Sequence, residues 1–132
     1  MIEDFFAHSP YELPQSQKEQ LLLKELRALT RHHYENCLPY RNMLEGLGVD
    51  IAGINSVAEV PFFPVRMFKE LDLLSIPREK VFKTTTSSGT TGQKVSRVYA
   101  DMETAMIQQK VLIKIFGDFL GKKRLPMLVI DS

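Results

Sequence analysis

At 132 residues the chain is long enough for one ordinary domain with a buried core, and its 44% apolar and 25% charged content is that of a soluble globular protein rather than a disordered one. The 17 basic and 16 acidic residues leave a net charge of +1, so no global field draws it to nucleic acid or an anionic membrane. A single cysteine excludes an internal disulfide, no apolar run approaches the roughly 20 residues of a membrane span, and the opening residues lack the cationic end and apolar body of a secretory signal, which makes the cytoplasm the expected compartment.

Residues 1–15 contain Pro10 and Pro14 and read as an irregular surface arm. Ser16-Gln17-Lys18-Glu19 has the form of a capping box, in which a serine hydroxyl and a glutamate carboxylate satisfy each other's backbone amides. It predicts a helix to about Asn36, with Leu22, Leu26, Leu29 and His33 along one face. Pro39 opens a second helical piece from Tyr40 to Leu44, closed by Gly46 and Gly48. A further capping box, Ser56 to Glu59, is cut short by Pro61 and Pro64. The apolar cluster Phe62, Phe63, Val65, Met67, Phe68 and Leu71 reads as ordinary core rather than as the lining of an acyl pocket.

Strands are expected near 81–86 and 94–99, making a strand–loop–strand unit. Asp101 is a good N-cap for a helix that runs to about Leu120 and ends at Gly121. Its second half is apolar almost all round, which implies burial on more than one side. Met127 to Ile130 is an unbroken apolar run that predicts a last strand at 126–131, of the kind found in parallel sheets. The expected class is α/β, with residues 16–78 mainly helical and 79–132 forming an α/β region.

The connection between the first two strands is Thr86-Ser87-Ser88-Gly89-Thr90-Thr91-Gly92. Glycines let backbone amides approach a ligand closely, and hydroxyls add donors that rotate to suit oxygen atoms, so the loop suits a polyanion such as a nucleotide's phosphates. It is no Walker A loop: Gly89 stands three positions from Gly92, Gln93 follows, and a strand rather than a helix comes next. The competing reading is a polar hairpin connection, since these residue types crowd turns for reasons unrelated to ligands.

Ser88-Gly89-Thr90-Thr91-Gly92 resembles the phosphate-binding signature of the adenylate-forming ligases, which lies between two strands and holds the phosphates of ATP. The usual form continues Gly-x-Pro-Lys-Gly, whereas this chain reads Gly92-Gln93-Lys94-Val95-Ser96; Lys94 is accordingly read as an exposed strand lysine. The double serine Ser87-Ser88, the segments Cys37 to Arg41 and Val60 to Val65 with Phe68-Lys69, and Arg124 to Asp131 are similar to the acyl-protein synthetase and phenylacetate–CoA ligase branch. The resemblance is collinear over about residues 30–132.

What the resemblance implies is the joining of a carboxylic acid, fatty in the acyl-protein synthetases, to the α-phosphate of ATP, followed by transfer of the acyl group to a thiol acceptor. Ser87, Ser88, Gly89, Thr90, Thr91 and Gly92 would bind the phosphates. The family's Mg²⁺-contacting acid, its adenine- and ribose-binding segments, its C-terminal domain and its acyl-accepting cysteine all lie further along than this chain extends, so no catalytic residue is expected here and Cys37 inherits no role. The chain is thus expected to be an N-terminal segment of such a ligase, inactive alone. Two alternatives stay open: a phenylacetate–CoA ligase-like segment, and a non-catalytic helical module self-associating through the apolar faces of residues 17–36 and 102–120. His33 and Cys37 stand four apart on a helix but have no further partner cluster for a metal, and they read as a helix-face histidine near a buried thiol.

Overall fold

The computed structural model describes residues 8, 12–87, 94–121, 123, 126 and 128. Over these the chain forms helix α1 (Gln15–Asn36), helix α2 (Leu38–Gly46), a 3-10 turn (Val57–Glu59), the single-turn helix α3 (Met67–Glu70), a second 3-10 turn (Arg78–Lys80), strands β1 (Lys83–Thr86) and β2 (Arg97–Ala100), and helix α4 (Met102–Leu120). Helices with a small two-stranded sheet are compatible with the α/β expectation. The strand expected at 126–131 lies outside the described residues save Pro126 and Leu128.

Helix α1 starts one residue before the expected capping box. The Pro14 carbonyl accepts from the Lys18 amide at 3.0 Å, which places Ser16 inside the first turn, where its side chain cannot cap. Glu19 instead accepts from the Gln15 side-chain amide at 2.7 Å. The packed face matches the expected one in part: Leu26 and His33 are half-buried, but Leu22 and Leu29 stand exposed and Thr30 is buried. Arg41 closes the other end of α1, its Nε donating to the Tyr34 carbonyl at 2.9 Å and its Nη2 to the Glu35 carbonyl at 2.8 Å. The same guanidinium lies 5.3 Å from the centre of the Tyr34 ring.

Helix α2 carries Pro39 in its first turn, as expected, and ends where Gly48 takes the left-handed conformation with φ 64°. There the Val49 amide donates to the Leu44 carbonyl at 3.1 Å. The Ser56 hydroxyl does not cap the 3-10 turn; the Glu59 carboxylate reaches back to accept from the Asn55 amide at 2.7 Å. That bond, then one from the Ser56 side chain, holds the Glu59 carboxyl below its ordinary range.

Buried apolar residues among the described ones fall into two groups. Cys37, Leu44 and Ile54 lie in the helical portion, whereas Ala100 and Ala105 lie where β2 meets α4. An edge-to-face series His33–Tyr40–Phe63, with centroids 5.8 and 5.5 Å apart, joins α1, α2 and the connector between α2 and β1, residues 47–82. Two expectations about burial are corrected. In the Phe62–Leu71 cluster Phe62 is 89% and Val65 73% exposed, while Phe63, Met67, Phe68 and Leu71 are half-buried. The second half of α4 is likewise largely exposed, Ile113 by 71% and Phe119 by 69%, and among its described residues burial is confined to Ala105 near the start.

Candidate functional site

The three threonines of β1 are β-branched and suit an extended strand. It pairs antiparallel with β2 in the register Lys83–Ala100, Thr84–Tyr99, Thr85–Val98 and Thr86–Arg97. The pairing is therefore a hairpin whose connection is residues 87–96. The second strand starts later than the expected residue 94, because at the loop end the ladder gives way to a side-chain closure. The Ser87 amide donates to the Ser96 carbonyl at 3.2 Å, and the Ser96 amide donates to the Ser87 hydroxyl oxygen at 3.0 Å. This reciprocal pair forms the neck of the loop. Ser87 thereby commits its amide, while its hydroxyl still carries a proton to donate. Ser88, Gly89, Thr90, Thr91 and Gly92 lie outside the described residues.

Charged groups from the connector flank the neck. Lys94 is not in a strand; its ammonium donates to Glu70 on α3 at 3.1 Å, and its side chain remains 70% exposed. Arg66 approaches the same carboxylate at 3.5 Å. The hydrogen bond from Lys94 and its charge, with Arg66 behind them, hold the Glu70 carboxyl below its usual range. Further along β2, the Tyr99 hydroxyl and Arg78 both donate to Asp72. The Tyr99 bond is the main cause that lowers the Asp72 carboxyl, and Asp72 in turn raises the Tyr99 phenol. One face of the hairpin is thus tied to residues 70–78, while Ala100 on its other face lies beside the start of α4. At that start Asp101 caps the helix as expected, its Oδ1 accepting from the Thr104 amide at 2.8 Å.

The sequence reading singled out the loop but not its supports, Ser96, Glu70, Asp72 and Tyr99. Glu70 and Lys94 are 24 positions apart, and Asp72 and Tyr99 are 27 apart, with nothing local to announce either pairing. Ser96 alone left a signal, as a hydroxyl on the far side of the glycine pair from Ser87.

Two other features belong to the helical portion. His33 Nδ1 lies 2.7 Å from the Ser75 hydroxyl, joining α1 to the connector. Burial, and then the neighbouring His32, push the His33 imidazole below its ordinary value, and burial pushes the Tyr40 phenol up. Cys37 is buried. Among the described residues no group of three His, Cys, Asp or Glu side chains is placed to hold a metal. An open apolar groove of about 710 Å³ runs between α2 and the connector, bordered by Leu47, Val60, Phe63, Met67 and Leu71.

A mixed helix and strand chain whose hairpin connection carries the serine-, threonine- and glycine-rich signature belongs, by class, with the adenylate-forming ligases. Within that class the chain belongs to the LuxE acyl-protein synthetase family, whose model matches residues 1–132. It is 32% identical over 94 residues to a long-chain-fatty-acid–luciferin-component ligase of Photorhabdus luminescens, an alignment covering 70% of this chain and 80% of that one. The identity is also 32% over 94 residues to the Vibrio harveyi protein of the same name, but only 25% of that longer chain is covered. A phenylacetate-coenzyme A ligase of Aromatoleum evansii is 34% identical over 85 residues, covering 60% of this chain and 19% of the relative. No solved structure matches the chain. No helix among the described residues is long and apolar enough to cross a membrane.

Proposed function

We propose that the chain supplies the phosphate-binding portion of an ATP-dependent acyl-activating ligase of the cytoplasm, one that adenylates a fatty acid and passes the acyl group to a thiol. The observation that carries this reading is the hairpin neck: the reciprocal Ser87–Ser96 pair closes a glycine- and hydroxyl-rich connection within a family of acyl-protein synthetases. In the reaction a carboxylate oxygen bonds to the α-phosphorus of ATP, and the bond from that phosphorus to the bridging oxygen breaks, releasing pyrophosphate. A thiol sulfur then attacks the acyl carbon and AMP departs with its oxygen.

Donors in this chain act on the departing pyrophosphate. Charge grows on its oxygens as the bond breaks, and amides and hydroxyls already fixed in place stabilise it without reorganising. Ser87, Ser88, Gly89, Thr90, Thr91 and Gly92 are the proposed donors, with the glycines allowing close approach. The described part of the site fits a polyanion: Ser87 keeps a hydroxyl proton to donate, and Lys94 stands exposed beside the neck with its charge only partly offset by Glu70. Mg²⁺ would enter with the nucleotide.

The 132 residues are proposed to be one segment of the ligase's large domain, with no turnover of their own. Support comes from the 25% of the Vibrio harveyi relative that the alignment covers. The test is a titration of the ¹⁵N-labelled chain with ATP, together with ATP–pyrophosphate exchange. Expected are amide perturbations at residues 87–96, weaker than about millimolar in affinity, and no exchange. Absence of any loop perturbation would overturn the phosphate assignment, and exchange by the chain alone would overturn its partial character. The phenylacetate-coenzyme A ligase relatives support a second reading, with an aryl acid as substrate and coenzyme A as acceptor.

A further inference from the structure

Away from the hairpin, α1 and the segment after α2 enclose a small concavity of about 370 Å³, lined by Arg27, Ala28, Arg31, His32, Glu35 and Ile51. Arg27 and Arg31 stand one helical turn apart on the same face. Neither makes an ion pair or hydrogen bond among the described residues, in contrast to Arg41, Arg66 and Arg78. The small Ala28 also lines the concavity, and half-buried Ile51 contributes to its wall from outside the helix. His32 adds an imidazole to the lining, on a residue whose carbonyl accepts from the Asn36 side-chain amide at 2.8 Å. Glu35 is the opposing charge at the rim.

From this geometry we infer that the Arg27–Arg31–His32 concavity is a binding site for a phosphate dianion, separate from the β1–β2 loop. Guanidinium forks match the oxygens of phosphate in pairs and remain charged at every physiological pH. With two fixed cations against one carboxylate, the site attracts a dianion more strongly than a monoanion. A concavity of about 370 Å³ is of the size that takes a small phosphate-bearing molecule. The inference does not depend on the ligase reading.

The test uses the full ¹⁵N-labelled chain, titrated with inorganic phosphate and with phenyl phosphate at constant ionic strength set by chloride. Amide perturbations are expected at residues 27–35 and at Ile51. Arg27→Gln and Arg31→Gln should each weaken binding about tenfold, the worth of one charge-assisted contact. Glu35→Gln should tighten it severalfold, a direction that mere loss of structure cannot produce. Phenyl phosphate binding more tightly than inorganic phosphate identifies a monoester that uses Ile51, and equal affinity identifies free phosphate. The site is overturned if chloride alone reproduces the perturbations, if both arginine variants keep the wild-type midpoint, or if phosphate perturbs only residues 87–96. That last result would leave the proposed ligase function standing.

Discussion

Ser87→Ala removes one bond of the neck and leaves the other. The Ser96 amide loses its acceptor at 3.0 Å, while the Ser87 amide still donates to the Ser96 carbonyl. A neutral hydrogen bond contributes about 0.5–1.5 kcal/mol net. That is roughly 2- to 13-fold in a local opening equilibrium. Ser87 is exposed, so water replaces part of the lost bond and the lower half of this range is expected. Amide hydrogen exchange reads it directly: protection of Ser96 should fall about two- to fivefold, with Lys83 to Thr86 nearly unchanged. Ser87→Thr keeps a hydroxyl at the same position and should keep the protection. If Ser96 exchanges equally fast in wild type and Ser87→Ala, or if Thr fails to rescue, the reciprocal pair does not hold the neck and its argument for a preformed phosphate loop fails.

Leu44→Ala should cost about 2–5 kcal/mol, because the side chain has no exposed surface and few other residues are buried as completely; a urea midpoint by circular dichroism checks this, and a loss below about 1 kcal/mol would contradict the packing. Burial lowers the His33 imidazole in the folded state, so as pH falls through the ordinary value of 6.5 the unfolded chain takes up a proton first. Stability is therefore full above that value and declines below it until the lower, folded pKa is passed, and urea midpoints across pH 5–8 should show a slope that His33→Gln flattens. Asp101→Ala should destabilise by about 1 kcal/mol and fray the start of α4, whereas Asp101→Ser, which retains a cap, should cost far less.

Signals carried by single residues survived the passage from sequence to structure. Asp101 caps its helix, Gly121 ends it with φ 78°, Pro39 opens α2, and Gly48 turns it off. Each acts on its own backbone and needs no distant partner. Signals that depend on what covers a surface fared worse. The α1 face was placed on Leu22, Leu26, Leu29 and His33; Leu26 and His33 are half-buried, but Leu22 and Leu29 stand exposed, and Thr30, beside Tyr40 of α2, is buried in their place. Apolar density in α4 correctly marked a helix but not its surroundings, because periodicity reports which residues avoid water and says nothing of what supplies the shelter. At the candidate site the loop stood out by its glycines and hydroxyls. Its supports were hidden because they arise from pairings such as Glu70 with Lys94, which only the folded chain creates.

Arg41 adds hydrogen-bond geometry to the packing that sets the elbow between the first two helices. One planar group spans two adjacent carbonyls at the end of α1 while its own residue belongs to α2. The angle is thereby fixed in a way that surface drift along either helix would not disturb, whereas a lysine, offering a point charge without a fork, would let the joint swing.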